Sequence, residues 1–553
     1  MKPDGTRDWN VAWRLREAAA RTPHRPAMAC AAGRDRAGRA RFVLLTFAQL
    51  DLESDRLAHG FEQIGITRGT RTVLMVPPGI EFFTAAFGLF KAGAVLVLID
   101  PGIGPRSLGA CLGEAEPEAF VGVPRAHAAR ALLGWARGSL RTLVTAGPRL
   151  GWGGHRLDSL RAPAGAPHPI ARMGPDDVAG VFFTSGSTGI PKGVLYTHGI
   201  FAAQLAFLEE RFQFTDDGAD LATFPPFALF DAALGVTAVV PEMNASRPAR
   251  ADPVRLLEAI EAHGATRMFG SPALIDRLAR HCQAHGLRLD PVRRVLSAGA
   301  PVRADIVERM AEVLPPDAEL YTPYGATEAL PVASIEGREI LHETRAESAR
   351  GGGVCVGRPV SQVRVHVIRI DDGPIASWSE ELCVPDGQVG EIVVEGPIVT
   401  PGYWRRPRSD ALAKIHAPDG RVLHRMGDLG RLDGKGRLWF CGRKAHRVET
   451  PDGTLFPVPC EGVANQHLGV FRSALVGIGA RGAQEPVLCL ELEAGVARGA
   501  RARIAGEVLA LCAAHEASRA IRRVLFHPGF PVDRRHNAKI DRTVLARWAA
   551  GRR

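Results

Sequence analysis

Between residues 182 and 193 the chain reads Phe-Phe-Thr-Ser-Gly-Ser-Thr-Gly-Ile-Pro-Lys-Gly. An apolar run leads directly into a loop of glycines and small hydroxyl residues that ends in a lysine. Thr184, Ser185, Gly186, Ser187, Thr188 and Gly189 let backbone wrap close to an anion, and their amide and hydroxyl groups can donate to phosphate oxygens. Lys192 adds a mobile positive charge. The pattern differs from the usual phosphate loop, in which Gly-Lys-Ser/Thr opens a helix. Here Pro191 precedes the lysine, and Gly193 to Tyr196 resumes a strand-like run. The plainer alternative for these residues is a flexible Ser/Gly hairpin.

Lysine is otherwise scarce. Of the 69 basic residues only seven are lysine, namely Lys2, Lys91, Lys192, Lys414, Lys435, Lys444 and Lys539, so each invites a question about its role. A compact ammonium on a flexible stem does not substitute for a planar guanidinium at a tight site. Lys192 and Lys539 fall in the two segments best suited to chemistry. Cys441 and Cys460, close to other motifs, read as small packing residues rather than nucleophiles.

The elements that must hold these groups are legible as an alternation. Thr72 to Val76, Val95 to Ile99, Ala119 to Val123, Val178 to Phe183 and Arg294 to Ser297 are short apolar strands. Phe47 to Ile64 and Phe82 to Ala92 are helical patterns, and Asp8 to Arg21 reads as a surface helix. Such alternation predicts α/β layers with largely parallel sheets. Ala31 to Arg41 and Ala162 to Pro169 read as loops. From about Gly390 the pattern changes to glycine-flanked strands, Glu391 to Glu395 and Arg437 to Phe440. About a hundred residues of mixed α and β follow Arg443. The expected domains are 1–443, large, and 444–553, small.

With 553 residues, 46% hydrophobic and 23% charged, the composition is that of a globular enzyme. No apolar run has the length of a membrane span, and the charged first twenty residues do not read as a signal peptide. Nine scattered cysteines without a CxxC fit a reduced, cytoplasmic protein. The net charge of +10 comes without a basic stripe interleaved with aromatics. A nucleotide and surface solvation account for it better than nucleic acid does.

The residue 182–193 string closely resembles the signature of the adenylate-forming superfamily of acyl-CoA synthetases, luciferases and nonribosomal adenylation domains. The resemblance runs from Leu45 to Lys539. It implies a large N-terminal domain binding ATP and a carboxylic acid, and a small mobile C-terminal lid. Ala298-Gly299-Ala300-Pro301 resembles the turn beside adenine. Tyr321-Thr322-Pro323-Tyr324-Gly325-Ala326-Thr327-Glu328 resembles the central motif. It implies that Tyr324 stacks on adenine, Thr327 contacts phosphate and Glu328 holds Mg²⁺, for which a hard carboxylate oxygen is suited. Gly427-Asp428 resembles the ribose-binding element, with Arg443 near the nucleotide at the hinge. Asn537-Ala538-Lys539-Ile540-Asp541-Arg542 resembles the Gly-Lys-Ile-x-Arg element, with alanine where glycine is common. It implies that Lys539 clamps the carboxylate and the α-phosphate, a preorganised donor worth ~10²–10³ in rate.

The second half-reaction depends on where the chain departs from the family. Thioester-forming members usually follow the hinge with an acid and then a lysine. This chain has Lys444-Ala445-His446-Arg447-Val448-Glu449, with His446 and Glu449 at those places. In the pocket motif, Phe224-Pro-Pro-Phe-Ala-Leu-Phe-Asp231 replaces an aromatic-His pair. Phe227, Ala228, Phe230 and Asp231 are the expected pocket, apolar enough for an acyl chain, although Phe227 and Phe230 could equally be core.

These strings, with Tyr-Thr-Pro-Tyr-Gly-Ala-Thr-Glu-Ala-Leu-Pro-Val-Ala and Cys-Gly-Arg-Lys-Ala-His-Arg-Val-Glu-Thr, most resemble the olefin β-lactone synthetases. That resemblance implies adenylation of a 2-alkyl-3-hydroxy fatty acid and attack by its own 3-hydroxyl. It also implies a pathway setting beside thiolase-like, reductase and β-lactone decarboxylase enzymes. His198 and Asp231 are candidates by location alone for the base that takes the hydroxyl proton. A fatty acyl-CoA or acyl-carrier ligase, or a non-catalytic adenylate-binding scaffold, are the alternatives. Intact Lys192, Glu328, Asp428, Arg443 and Lys539 argue against the scaffold.

Overall fold

The computed structural model describes residues 8–163, 165–184, 191–215, 218–532 and 540–552. The chain divides into two compact units. One comprises Met1–Leu296, Val313–Ala318 and Pro397–Asp410, and the other Ser297–Glu312, Glu319–Gly396 and Ala411–Arg553.

The first unit carries the alternation expected from sequence. A seven-stranded sheet is parallel from His155–Arg156 through Thr142–Thr145, Ala119–Gly122, Arg71–Met75, Val95–Leu98 and Val178–Phe183, with Gly193–Thr197 added antiparallel at one edge. Val97, Phe120 and Val181 are fully buried among Leu108, Cys111 and Leu112 of helix Pro105–Ala115. Strands covered on both faces read as continuous apolar runs rather than alternations, which is why their positions were visible. A second set runs Arg267–Gly270, Ala219–Ala222, Thr237–Val240 and Pro26–Arg34, with Ala40–Thr46 antiparallel at its end.

That hairpin corrects one expectation. Ala31 to Arg41 is not a single loop, because strand Pro26–Arg34 continues into it and Ala40–Thr46 returns out of it. The first strand is paired on both sides, with Thr237–Val240 and Ala40–Thr46. Ladder hydrogen bonds therefore override a Gly/Ala-rich composition, and only Asp35 to Arg39 remains as the turn.

Helix Phe47–Gln63 begins where a capping box places it. Thr46 Oγ1 accepts from Gln49 N at 3.2 Å and Gln49 Oε1 accepts from Thr46 N at 2.9 Å. The helix packs on Ile80–Lys91, which delivers one of the rare lysines into the interior. Lys91 has no exposed surface, and its Nζ lies 2.7 Å from Asp55 Oδ1 and donates to Asp51 O at 2.7 Å. Arg16 pairs with Asp55 as well, and with Asp51 at 3.3 Å. Burial lowers the Lys91 pKa while Asp51 and Asp55 oppose the shift.

The second unit is built differently. Its main sheet is antiparallel between the pairs Arg364–Ile368 with Gly390–Glu395, Gly390–Glu395 with Val422–Leu432, Val422–Leu432 with Leu438–Arg443, Leu438–Arg443 with Val354–Pro359, Val354–Pro359 with Ala329–Glu336, and Ala329–Glu336 with Glu319–Ala326. Beyond Arg443 come strands Val470–Ile478, Glu485–Leu492 and Arg523–Phe526. Alternate residues face opposite sides of this small sheet. Leu475, Leu488 and Leu490 pack with Ile504 and Val508 of helix Arg501–Ala513, while Ala474, Val476 and Val487 pack with Leu545 and Ala549 of helix Arg542–Ala550. The segment after the hinge thus has cores of its own.

Replacing Lys91 with methionine leaves two acids facing one another with only Arg16 as counter-charge. Breaking a buried pair from one side is strongly destabilising, so the variant should lose roughly 3 kcal/mol. Urea denaturation followed by fluorescence reads this as a lower midpoint. An unchanged midpoint would show that Arg16 alone satisfies both carboxylates.

Candidate active site

In the first unit, Thr184 and Lys192 close the base of the glycine-hydroxyl loop. Thr184 N donates to Lys192 O at 3.0 Å, and Lys192 N donates to Thr184 Oγ1 at 3.4 Å. The two residues end strand Val178–Phe183 and precede strand Gly193–Thr197, whose register pairs Phe183 with Gly193. Ser185, Gly186, Ser187, Thr188 and Gly189 lie outside the described residues. Lys192 Nζ sits 4.7 Å from the centre of the Tyr403 ring, a cation–π contact that reading the sequence missed. The signal available was rarity, since the chain has only four tyrosines.

The pocket motif forms helix Pro225–Leu234. Phe227 stacks on Phe269 with centroids 4.7 Å apart and meets Phe230 edge-on at 6.2 Å; Phe230 also meets Phe201 at 5.9 Å. Both rings are half-buried. Ala228 and Asp231, on the inward face, have no exposed surface. Asp231 faces Asp220 of strand Ala219–Ala222, and neither carboxyl has a further hydrogen-bond partner among the described residues. Burial raises the Asp220 pKa to about 7, against the opposing Arg267 charge. Burial and then the Asp220 charge raise that of Asp231 well above the ordinary carboxyl value. Two like carboxyls out of water cannot both ionise, so the pair holds a proton at neutral pH.

His198 is 1% exposed, and its Nδ1 accepts from Val11 N at 3.3 Å. Burial lowers its pKa to about 4. It ties the N-terminal helix to helix His198–Phe212, a packing position.

In the second unit, residues from three motifs meet at one carboxylate. Tyr324 Oη donates to Asp428 Oδ2 at 2.7 Å, and Arg443 Nη1 lies 3.1 Å from Asp428 Oδ1. Arg443 Nη1 also donates to Met426 O at 3.0 Å. The strands set this up, because the register of Val422–Leu432 against Leu438–Arg443 places Asp428 opposite Arg443. Gly427 has φ +63°, a left-handed backbone open to glycine at little cost, and a Cβ there would come within 4.0 Å of the Arg443 guanidinium. Burial and the Asp428 charge raise the Tyr324 phenol well above its ordinary pKa, so it stays a donor. Phe440, unnoticed in the sequence, tilts against the Tyr324 ring with centroids 6.0 Å apart.

Thr327 and Glu328 form the two-residue turn between strands Glu319–Ala326 and Ala329–Glu336, paired at Ala326 and Ala329. Both side chains are therefore carried at a hairpin tip. Gly325 precedes the turn at a close approach, where a Cβ would lie 2.8 Å from Ala329 O. Gly299, Ala300 and Pro301 lie in the turn after strand Arg294–Ser297.

The segment that follows Arg443 is pinned by charge. Lys444 Nζ lies 2.9 Å from Glu391 Oε1, and Glu391 is also paired with buried Arg425 at 2.7 Å. Arg447 pairs with Asp372 and with Glu449, the latter at 2.8 Å, and Arg481 reaches Asp372 at 2.9 Å. Hydrogen bonds from Arg447 hold the Asp372 carboxyl down at about 2. Burial, then the Arg542 and Arg443 charges, lower the His446 pKa to about 4, so its imidazole is neutral. Lys539 lies outside the described residues. Its flanks are fixed: Asp541 N donates to Pro531 O at 2.8 Å, Val532 bridges Ile540, and Arg542 pairs with Glu461 at 2.7 Å. Cys441 and Cys460 are buried, and burial raises both thiols, Cys441 to about 12, in keeping with packing roles.

The Asp220–Asp231 pair makes a pH prediction with a definite sign. The folded chain retains protons that the unfolded chain releases above pH ~4. The stability from the protonated pair is therefore full below that pH and declines as pH rises through about 7, the folded value of Asp220. Asp231→Asn replaces the titrating acid with a neutral donor. Its melting temperature should gain on that of the unmodified protein as pH goes from 4 to 8. A difference that stays constant over this range would sink the shared-proton assignment.

The AMP-binding enzyme family model matches residues 15–404. The chain is 51% identical over 552 residues to an olefin beta-lactone synthetase of Stenotrophomonas maltophilia, and 50% identical over 550 residues to one of Xanthomonas campestris pv. campestris. Each alignment covers 98% of both chains. An amide bond synthetase from Marinactinospora thermotolerans superposes with TM-score 0.79 at 24% identity, over 98% of this chain and 99% of that one. The anthranilate CoA ligase AuaEII in complex with anthranoyl-AMP gives 0.78 at 18% identity over the full length of both. At those identities the structural likeness establishes the adenylate-forming fold alone. A match over most of the chain and 50–51% identity over 98% of it place the protein in the AMP-binding enzyme family, alongside the olefin β-lactone synthetases.

Proposed function

We propose that this chain is an ATP-dependent, AMP-forming β-lactone synthetase acting on a 2-alkyl-3-hydroxy fatty acid. In the first step a carboxylate oxygen attacks the α-phosphorus of ATP and pyrophosphate leaves. In the second, the 3-hydroxyl oxygen of the same molecule attacks the acyl carbon, its proton is lost, and AMP leaves as the four-membered lactone closes. Attack from within one bound molecule benefits from proximity, which offsets part of the ring strain.

The residues divide this work. Thr184 and Lys192 flank the loop that would cradle the phosphates, with Lys192 supplying charge. Tyr324 would lie against adenine, and Gly299, Ala300 and Pro301 would border it. Asp428 would accept from the ribose hydroxyls. Its oxygens already receive Tyr324 and Arg443, but a carboxylate offers about four acceptor positions, so room remains. Thr327 would contact phosphate, and Lys539 would hold the carboxylate and α-phosphate as charge shifts between them. Phe227 and Phe230 would offer ring surface to the acyl chain, with Ala228 and Asp231 packing that helix from behind.

Glu328 fits Mg²⁺. The hairpin turn couples its hard carboxylate oxygen to the Thr327 hydroxyl, the donor type that ion takes. Bound there, Mg²⁺ would neutralise phosphate charge. Residues 444–553, with cores of their own, would act as the lid. The protein would work in the cytoplasm, supplied by thiolase-like condensing and reducing enzymes and drained by a lactone decarboxylase.

The observation that carries the second step is the hinge. Where thioester-forming members place an acid and a lysine, this chain has a neutral His446 and a Glu449 engaged with Arg447 and Arg481. The negative charge is missing at the first place and the sign is reversed at the second, which favours a nucleophile already present in the bound acid over a visiting thiol.

The test is a pair of acids, with and without CoA. A 2-alkyl-3-hydroxy acid should turn over repeatedly without CoA and give a lactone by mass spectrometry. The 3-deoxy acid should be adenylated and stall. CoA-dependent thioester from the deoxy acid would overturn the reading in favour of an acyl-CoA ligase. For the metal, Glu328→Gln should raise the Mg²⁺ concentration for half-maximal pyrophosphate release several-fold at unchanged melting temperature. An unmoved magnesium curve removes Glu328 as the ligand.

A further inference from the structure

Helix Phe47–Gln63 carries His59 and Glu62 near its C-terminal end, three residues apart and so on neighbouring positions of one face. His168 approaches them from a stretch without helix or strand. His168 Nε2 stands 3.1 Å from Glu62 Oε1, and the His59 and His168 rings meet edge to face with centroids 4.7 Å apart. One donor atom from each of the three residues lies within 4.8 Å of the other two.

The third residue is held in place independently of the cluster. Arg16 Nη1 donates to His168 O at 2.8 Å, Arg56 Nε donates to Ala162 O at 2.6 Å, and Arg161 pairs with Glu53 at 2.9 Å. His168 is 1% exposed, and its Nδ1 has no hydrogen-bond partner among the described residues. An imidazole so deeply buried with little to bond to needs a partner. The Glu62 and Asp55 carboxylates act on the ring, and the Arg16 guanidinium reaches the His168 carbonyl oxygen.

We propose that His59, Glu62 and His168 bind a divalent transition-metal ion, Zn²⁺ in preference to Mg²⁺, and that the ion clamps the His168 segment to helix Phe47–Gln63. Two imidazoles and one carboxylate are a donor set for zinc and its neighbours, whereas Mg²⁺ prefers oxygen alone. Three protein ligands leave one position for water. Zinc bonds of about 2.0–2.2 Å require the donors to draw together. Glu62, whose side chain is 41% exposed, is free to turn inward while buried His168 stays fixed. None of these residues takes part in the proposed nucleotide or acyl chemistry, so the site stands whether or not that reading does.

The test uses the full chain, free of any affinity tag and stripped with EDTA. Zn²⁺ is titrated in competition with a chromophoric chelator, and melting temperature is recorded with and without the ion. The expected result is one Zn²⁺ per chain, a higher melting temperature, no such rise with Mg²⁺, and release of the ion as the pH is lowered and the imidazoles protonate. His59→Gln and Glu62→Gln leave the fully buried His168 ring in place and should fold. Each should weaken Zn²⁺ binding by more than the roughly 10–100-fold that losing an outer-shell partner costs, and abolish the zinc-dependent rise in melting temperature. Stoichiometric zinc retained by the double variant, or no zinc bound by the unmodified chain, overturns the proposal.

Discussion

The Asp428 carboxylate is the point on which the second unit's functional geometry depends. It is 5% exposed, and a phenol and a guanidinium converge on it. A hydrogen bond to a charged group contributes about 1.5–3 kcal/mol, and a buried carboxylate without such partners would be far more costly. The constraint runs both ways. Tyr324 enters from the hairpin that also carries Thr327 and Glu328, and Arg443 is the last residue before the hinge. One acid therefore sets the orientation of the expected adenine platform, of the expected metal carboxylate and of the start of the C-terminal segment. The antiparallel register of Asp428 against Arg443 makes this arrangement a property of the sheet rather than of a loop.

Beyond Arg443, charge continues to decide structure. Lys444 and Arg425 share Glu391, and Arg447, Arg481, Asp372 and Glu449 form a chain of ion pairs. Exposed pairs contribute little singly. Arg425 and Glu391 are each 1% exposed, however, and a buried pair specifies which partner a side chain must take. The chain's preference for arginine suits this, since a planar fork can bridge two carboxylates where an ammonium offers a point charge. Three of the seven lysines fall where a point charge is wanted: Lys192 over an aromatic face, Lys91 against two aspartates, and Lys444 on Glu391.

Much of the fold was legible because the strands of the parallel sheet are covered on both sides and so read as unbroken apolar runs; Val178–Phe183 and Arg294–Ser297 match the expected bounds residue for residue. The Pro26–Arg34 and Ala40–Thr46 hairpin was hidden, because its residues owe their conformation to neighbours distant in the chain. The motif residues were legible as types but not as partners. Nothing in the spacing of Tyr324, Asp428 and Arg443 says that they bond to one another, since that follows from strand register. Asp231 was legible as a type but not in its surroundings, since the 3.6-residue turn of the helix directs it, with Ala228, to the buried side. The His59, Glu62 and His168 cluster was illegible in turn, because a loop brings its third member back from more than a hundred residues away.

The same accounting bears on why the intramolecular step suits this chain. A thiol nucleophile must be admitted to the adenylate, and the thioester-forming members usually follow the hinge motif with an acid and then a lysine. Here the hinge charges are satisfied where they stand: Glu449 by Arg447 and Arg481, Asp372 by the same two arginines, Lys444 by Glu391. Turning residues 444–553 would break the contacts that Asp372 and Glu391 make from outside that segment, and His446, neutral and flanked by Arg443 and Arg542, supplies no acid to receive a replacement. A nucleophile carried on the substrate removes the need for that movement. It is already within reach of the acyl carbon once the carboxylate is activated, and the remaining demand on the protein is to keep water away until the ring closes. Half-buried Phe227 and Phe230 put apolar rings where other members carry an aromatic-His pair.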